Sequence, residues 1–329
     1  MDNGIILLKK LISIPSETGN EKVIFNFVYS LLKKEGFLVQ KIPVGNRFNV
    51  IAKIGKPKVF LQAHLDTVPP FIKFSQDEKF IYGRGACDTK GSAAAMITAS
   101  LELAKSGVKD FGLIFTVGEE VDFTGVKKLS KYNFPFVIVG EPTSLKAVNA
   151  HFGILVFKIT AKGKAAHSSL PEKGINAIQL LLETLNRVNK IKIFPESILT
   201  LAKIEGGIAD NIIPETASAL YSMRISPNDK KDYIKEFKSA LSKYTKVEQI
   251  LNVSSVNNKI PSELSFFKVG EMLKGSTELA FFKNGVILGP GDIKFAHSQD
   301  EKIEKKELKE AVRIYSKIVE NFIGSNLAT

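Results

Sequence analysis

Three short, almost unbroken apolar runs restrict the folds open to this chain: VFLQA (residues 59–63), GLIFTV (112–117) and FVIVG (136–140). Such runs belong to strands buried on both faces, unlike the alternating strands of a sheet with one wet face. A fourth strand pattern, FNVIAKIG, precedes them at 48–55. Helical periodicity separates or flanks these runs in NGIILLKKLIS (3–13), NEKVIFNFVYSLLKKEG (20–36), KGSAAAMITASLELAKSG (90–107) and TGVKKLSKY (124–132). Thr18 and Glu21 have capping-box spacing ahead of the second helix. The alternation predicts an α/β fold: a mostly parallel sheet with helices on both faces.

The pattern changes near residue 154. ILVFKITAKG (154–163) alternates as a strand, GINAIQLLLETLNRVNK (174–190) is helical, and ILTLAKIEGG (198–207) and TASALYSMRIS (216–226) are strands. A helix in KKDYIKEFKSALSKY (230–244) and a strand in KVEQILNVSS (246–255) complete the order strand, helix, strand, strand, helix, strand. That order is ferredoxin-like. It predicts an inserted α+β domain over 154–256, within a larger domain of residues 1–153 and 257–329. The larger domain resumes with a helix over 262–275, a buried strand GVILG (285–289) and a closing helix over 304–322.

A length of 329 residues fits about two domains. The single cysteine forms no internal disulfide, and a reducing, cytoplasmic setting is expected. The N-terminal apolar run is short, with Lys9 and Lys10 after it, so it does not read as a signal peptide. No apolar run approaches the ~18 residues of a membrane span. The net charge of +12 raises the question of a nucleic-acid or anionic-membrane surface. The lysines, however, are spread along the chain and interleaved with glutamate, as in EKIEKKELKE (301–310), and no DNA- or RNA-binding signature accompanies them. A solvated exterior is expected, with no nucleic-acid or membrane partner.

In open α/β sheets, sites form beyond the carboxyl ends of the strands. Here VFLQA leads to His64 and Asp66, LIFTV to Glu119 and Glu120, FVIVG to Glu141, and VILGPGD to His297. Asp88 lies in the loop YGRGACDTKG before the small-residue helix. Several carboxylates in one pocket need cations, and a His/Asp/Glu set suits borderline metals such as zinc. The adjacent Glu119 and Glu120 fit a division of labour in which one binds a metal and its neighbour acts as a base. The alternative is that the pair merely caps a loop.

At these residues the sequence resembles the dinuclear-zinc deacylase and peptidase family that includes acetylornithine deacetylase, succinyl-diaminopimelate desuccinylase, aminoacylase and glutamate carboxypeptidase. The matching stretches are AHLDTVP, YGRGACDTKG, TVGEEVDFTG, VGEPTS, GKAAHSS and GPGDIKFAHSQDE, spanning residues 63–301. The resemblance implies that His64 and Glu141 bind one metal, that Glu120 and His297 bind the other, and that Asp88 bridges them. The ions implied are zinc, or else cobalt or manganese. Asp66 would orient His64, Glu119 would be the general base, and a cis bond would follow Asp88. His167 would polarise the scissile carbonyl, Arg224 would hold the substrate carboxylate, and Asn211 would assist.

The resemblance also implies a homodimer through the inserted domain. NAHFG (149–153), STELAFF (276–282) and the final histidine motif lean toward acetylornithine deacetylase, and hence toward N-acetylornithine or N-acetyllysine as substrate. Desuccinylase, amino-acid-carrier hydrolase and dipeptidase or carboxypeptidase activities are the alternatives. His151 is either a substrate contact or a packed residue, and Cys87 is expected to be a small packing residue, not a ligand.

Overall fold

The computed structural model of the protein describes residues 3–324. The chain divides into two compact units, the first made of Met1–Asn149, Asn258–Met272 and Thr277–Thr329, the second of Ala150–Asn257 and Leu273–Ser276.

The first unit begins with α1 (Asn3–Ile12), α2 (Lys22–Lys34), β1 (Leu38–Val44), β2 (Arg47–Ile54) and β3 (Val59–His64). The short β4 (Ser75–Gln76) and β5 (Phe80–Tyr82) follow, then α3 (Lys90–Lys105), β6 (Phe111–Thr116), the single turn α4 (Thr124–Lys127) and β7 (Val137–Val139). The second unit contains β8 (Ala150–His151), β9 (Gly153–Lys162), α5 (Ala177–Val188), β10 (Ile198–Gly206), β11 (Thr216–Ile225), α6 (Tyr233–Ser239), β12 (Thr245–Val253) and β13 (Val256–Asn257). The chain then returns to the first unit with β14 (Gly285–Ile287), β15 (Lys302–Glu304) and α7 (Lys305–Gly324).

The main sheet of the first unit has the order β1-β2-β6-β3-β7-β14. Strands β6, β3, β7 and β14 pair in parallel, and β1 and β2 extend the sheet antiparallel at one edge. Strand alternation sorts the two faces. Val59, Leu61 and Ala63 of β3 and Phe111, Leu113 and Phe115 of β6 enter one core with the apolar stripes of α1, α2, α3 and α7. Leu61, Leu113 and Phe115 are fully buried there, contributing about 2 kcal/mol each. The alanines of α3 let that helix lie buried along most of its length against β3, α1 and α7. On the other face Phe60 meets Phe134 edge-on, and Phe134 meets Phe282. That same face carries Gln62 and His64, so strand alternation aims the last residue of β3 away from the helical core.

The second unit is a four-stranded antiparallel sheet of order β10-β11-β9-β12 with α5 and α6 against it, the ferredoxin-like arrangement. Phe157, Tyr221 and Phe237 stack in its core.

Three local expectations fail. The helix expected over 262–275 is only a 3-10 turn at Ser262–Leu264. Its backbone groups pair elsewhere: Ala147 N–H donates to Lys268 O, Gly270 N–H to Ala147 O, and Leu273 N–H to Ala150 O. The capping box of α2 does not form, because Thr18 Oγ1 donates to Asp66 and Glu21 pairs with Arg47 at 2.6 Å. The helix expected over 124–132 stops after one turn.

Candidate active site

Five chain segments converge near the carboxyl ends of the parallel strands. His64 closes β3 and is fully buried. Its Nε2 lies 3.0 Å from Asp88 Oδ1, 3.8 Å from Glu119 Oε2 and 4.0 Å from Glu141 Oε1. Asp88 turns its other oxygen toward His297, with Oδ2 3.3 Å from His297 Nε2. Glu120 Oε2 lies 2.9 Å from the same His297 nitrogen. The Asp88–Thr89 peptide is cis. One carboxylate therefore stands between two histidines, with Glu119 and Glu141 beside one and Glu120 beside the other.

Asp66 organises this arrangement. His64 Nδ1 hydrogen-bonds the main-chain carbonyl of Asp66 at 2.9 Å, while the Asp66 carboxylate is 3.6 Å away. That carboxylate instead accepts the N–H groups of both Glu119 and Glu120 at 3.1 Å, and the Thr18 hydroxyl at 2.8 Å. The strand ends because Gly118 takes φ 73°, a conformation most residues avoid. A Cβ there would also meet Thr124 Cγ2 at 2.6 Å. Buried Asn49 on β2 braces the turn by accepting Val117 N–H and donating to Gly125 O. Two adjacent glutamates reach one pocket because their shared turn hangs from one buried aspartate.

The electrostatics fit divalent cations. Burial, then repulsion from Glu141 and Glu120, holds Glu119 well above the usual carboxylate range. Burial, then Asp88, does the same to Glu141. Burial opposes charge on His64, but the nearby carboxylates of Asp66 and Asp88 outweigh it and raise its pKa. Hydrogen bonds to Asp88 and Glu120 push His297 up to about 10. One oxygen of Glu120 is buried without a hydrogen-bond partner. Ligand atoms of His64, Asp88 and Glu120 all lie within 4.8 Å of one another. Imidazole nitrogens and carboxylate oxygens so crowded, with one carboxylate oxygen orphaned, make a donor set suited to divalent metal.

The remaining residues singled out in the sequence, Cys87 of the first unit apart, lie in the second unit. His167 is exposed, its Nδ1 accepting from Ser169 N–H and Oγ. Asn211 is its neighbour, since His167 bridges Ile212 and Ser168 N–H donates to Asn211 O. Arg224 is half-buried at the other end of β11, and its Nη1 has no hydrogen-bond partner. His151 is fully buried and donates from Nδ1 to Phe152 O. Cys87 is buried too, its thiol pushed far up by burial and by Asp88.

Sequence reasoning overlooked Asn49, Thr18, Arg84, Glu301 and Glu278. Their polar side chains are spread across the chain, and only folding shows what each supports. Glu278 is fully buried and accepts hydrogen bonds from Gln62 of β3 and Thr116 of β6. Burial raises it to about 7 from an ordinary 4.5. The unfolded chain thus releases this proton at lower pH than the folded one, and stability falls as pH rises between those values. Glu278→Gln removes that loss. In metal-free protein its stability relative to the parent should be level below about pH 4 and higher by about 3 kcal/mol above pH 8. Urea unfolding across that range checks this, and parallel curves would exclude it.

An α/β chain with a histidine and carboxylate cluster beyond its parallel strands has the form of a metal-dependent hydrolase. The peptidase dimerisation domain family matches residues 149–248. A protein named "Probable carboxypeptidase" from Aspergillus clavatus is 32% identical over 97% of this chain and 88% of its own length. A "Peptidase M20 domain-containing protein" of Schizosaccharomyces pombe is 33% identical over 97% of this chain and 84% of its own. The fold matches that of aminopeptidase PepT from Bacillus cereus with a TM-score of 0.81 at 20% identity, covering 98% of both chains. The chain belongs to the M20 peptidase family, hydrolases of amide bonds. Among the described residues no helix is long and apolar enough to cross a membrane.

Proposed function

We propose that the protein hydrolyses the amide of a small N-acyl amino acid, with N-acetylornithine and N-acetyllysine the first candidates. The observation that carries this reading is Asp88, whose two carboxylate oxygens face two different histidines, while Glu119 stands beside the pair without a hydrogen bond to either. His64 and Glu141 would hold one cation, His297 and Glu120 the other, and Asp88 both. Two divalent ions, zinc by donor type or else cobalt or manganese, would supply Lewis-acid polarisation and offset the repulsion among the carboxylates.

Glu119 takes a proton from the attacking water and delivers it to the leaving amine. Asp66 fixes Glu119 through its N–H, so the base keeps its aim while its charge changes. His167, with Asn211 beside it, donates to the oxygen that becomes negative. The unpaired Nη1 of Arg224 offers a fork for the α-carboxylate of the amino acid. His167 and Arg224 lie toward opposite ends of β11, about 25 Å apart by strand rise, so a homodimer sharing residues between its sites accounts for both roles. The lone, buried cysteine fits a cytoplasmic setting.

The Aspergillus relative favours a second reading, carboxypeptidase or dipeptidase action, because a C-terminal peptide bond presents the same amide and carboxylate. Desuccinylase and amino-acid-carrier hydrolase activities use the same chemistry. A panel of N-acetylornithine, N-acetyllysine, N-succinyl-diaminopimelate and simple dipeptides separates these readings by kcat/KM. The acetylated amino acids should be the best substrates, and exhaustive chelation should abolish turnover until metal is restored. Faster cleavage of dipeptides would assign carboxypeptidase or dipeptidase action, and full activity after verified metal removal would exclude the metal mechanism.

A further inference from the structure

We infer that the buried Arg84–Glu301 pair is a positioning device that sets the distance between the Asp88 carboxylate and His297. The inference rests on the metal reading above.

Both side chains are nearly inaccessible, at 2% and 1% exposure, and Arg84 Nη1 lies 2.7 Å from Glu301 Oε2. The other Glu301 oxygen accepts two main-chain N–H groups, Cys87 at 3.0 Å and Asp88 at 3.1 Å. Arg84 in turn donates to Ser298 O at 3.1 Å and to Pro70 O at 3.2 Å. Ser298 follows His297 directly, and Cys87 and Asp88 sit in the loop that supplies the bridging carboxylate. The pair thus fastens the loop before α3 to the loop before β15, at the residues whose side chains face each other across 3.3 Å.

A buried ion pair is weak evidence for stability as such, since desolvation cancels most of its attraction. Here each partner also hydrogen-bonds the backbone beside a candidate ligand, Glu301 at Cys87 and Asp88, and Arg84 at Ser298. Neither loop has a regular ladder to hold it, and His297 itself takes φ 59°. Tethering the backbone on both sides limits where the two side chains can point. Groups that orient metal ligands typically govern metal affinity by about 10–100-fold when removed.

The test measures zinc affinity of metal-stripped protein by competition with a chromophoric chelator. Wild-type protein should take up two ions. Glu301→Gln keeps the shape and one acceptor but loses the charge that Arg84 pairs with. It should weaken the site built on His297, Glu120 and Asp88 by about 10–100-fold, and the His64 site, which shares Asp88, by less. Arg84→Lys keeps the charge but cannot reach both carbonyls, and should weaken the same site; it carries the test should Glu301→Gln fail to fold. In an Asp88→Asn background, Glu301→Gln should add no further loss, because its action runs through Asp88. A purely structural role would lower affinity in both backgrounds. Wild-type affinity at both sites in the folded variants, or an undiminished loss in the Asp88→Asn background, overturns the inference. Failure of the wild-type protein to bind zinc would instead overturn the metal reading itself.

Discussion

Glu119→Gln should retain its metal and lose about 10²–10⁴-fold in kcat, whereas Glu120→Gln should lose metal from one site. The two residues share a turn and an anchor, since Asp66 accepts both of their N–H groups. Their side chains nevertheless meet different partners. Glu120 Oε2 lies 2.9 Å from His297 Nε2, in the gap that a shared cation would occupy. Glu119 Oε2 instead lies beside His64, 3.8 Å from its Nε2 and beyond hydrogen-bond reach. Glutamine keeps the volume and one acceptor oxygen at either position, so the turn should survive both substitutions. What glutamine cannot do is accept and return a proton, and that loss matters only where proton transfer happens. Elemental analysis of both variants beside their turnover decides the assignment. Equal metal loss in the two would remove Glu119 as the base, and near-normal turnover in Glu119→Gln would do so more directly.

The clustering of these histidines and carboxylates was legible because topology forces them together. Parallel strands that are apolar almost throughout present their first titratable residues at the carboxyl end, so His64, Glu119, Glu120 and Glu141 could be placed near one edge from strand pattern alone. What the pattern could not supply was the support. Asn49 reads as one polar residue in a strand, Glu301 as one charge in a lysine- and glutamate-rich surface stretch, and Glu278 as one residue of STELAFF ahead of the last buried strand. Each is buried, and burial of an isolated polar residue has no periodic signature. The misjudged helix over 262–275 has a related cause. Its apolar spacing suits a helix, but Lys268 and Gly270 find backbone partners at Ala147, far away in sequence. Thr18 and Glu21 show the same effect, with capping-box spacing diverted to Asp66 and Arg47.

Mixed dimers of two inactive variants should recover activity. His167 and Asn211 lie just before β11 begins at Thr216, and Arg224 lies near its other end. Strand rise separates them by about 25 Å, far more than a small acyl amino acid spans. If His167 and Arg224 both touch one substrate, they come from different chains. Glu119→Gln and His167→Ala homodimers should each be nearly inactive. In a mixed dimer whose histidine acts across the interface, the site built on the His167→Ala chain keeps its own Glu119 and receives an intact His167 from the partner. The opposite site lacks both groups. One working site in two predicts about half the wild-type turnover per dimer, a gain of some 10²-fold or more over either homodimer. If the histidine acts within its own chain, each site of the mixed dimer lacks one group and neither works. Co-expression with two tags, sequential purification of the doubly tagged species and an assay distinguish the arrangements. Verified mixed dimers without recovered activity would reject the shared site, as would full wild-type turnover from a protein that is monomeric at assay concentration.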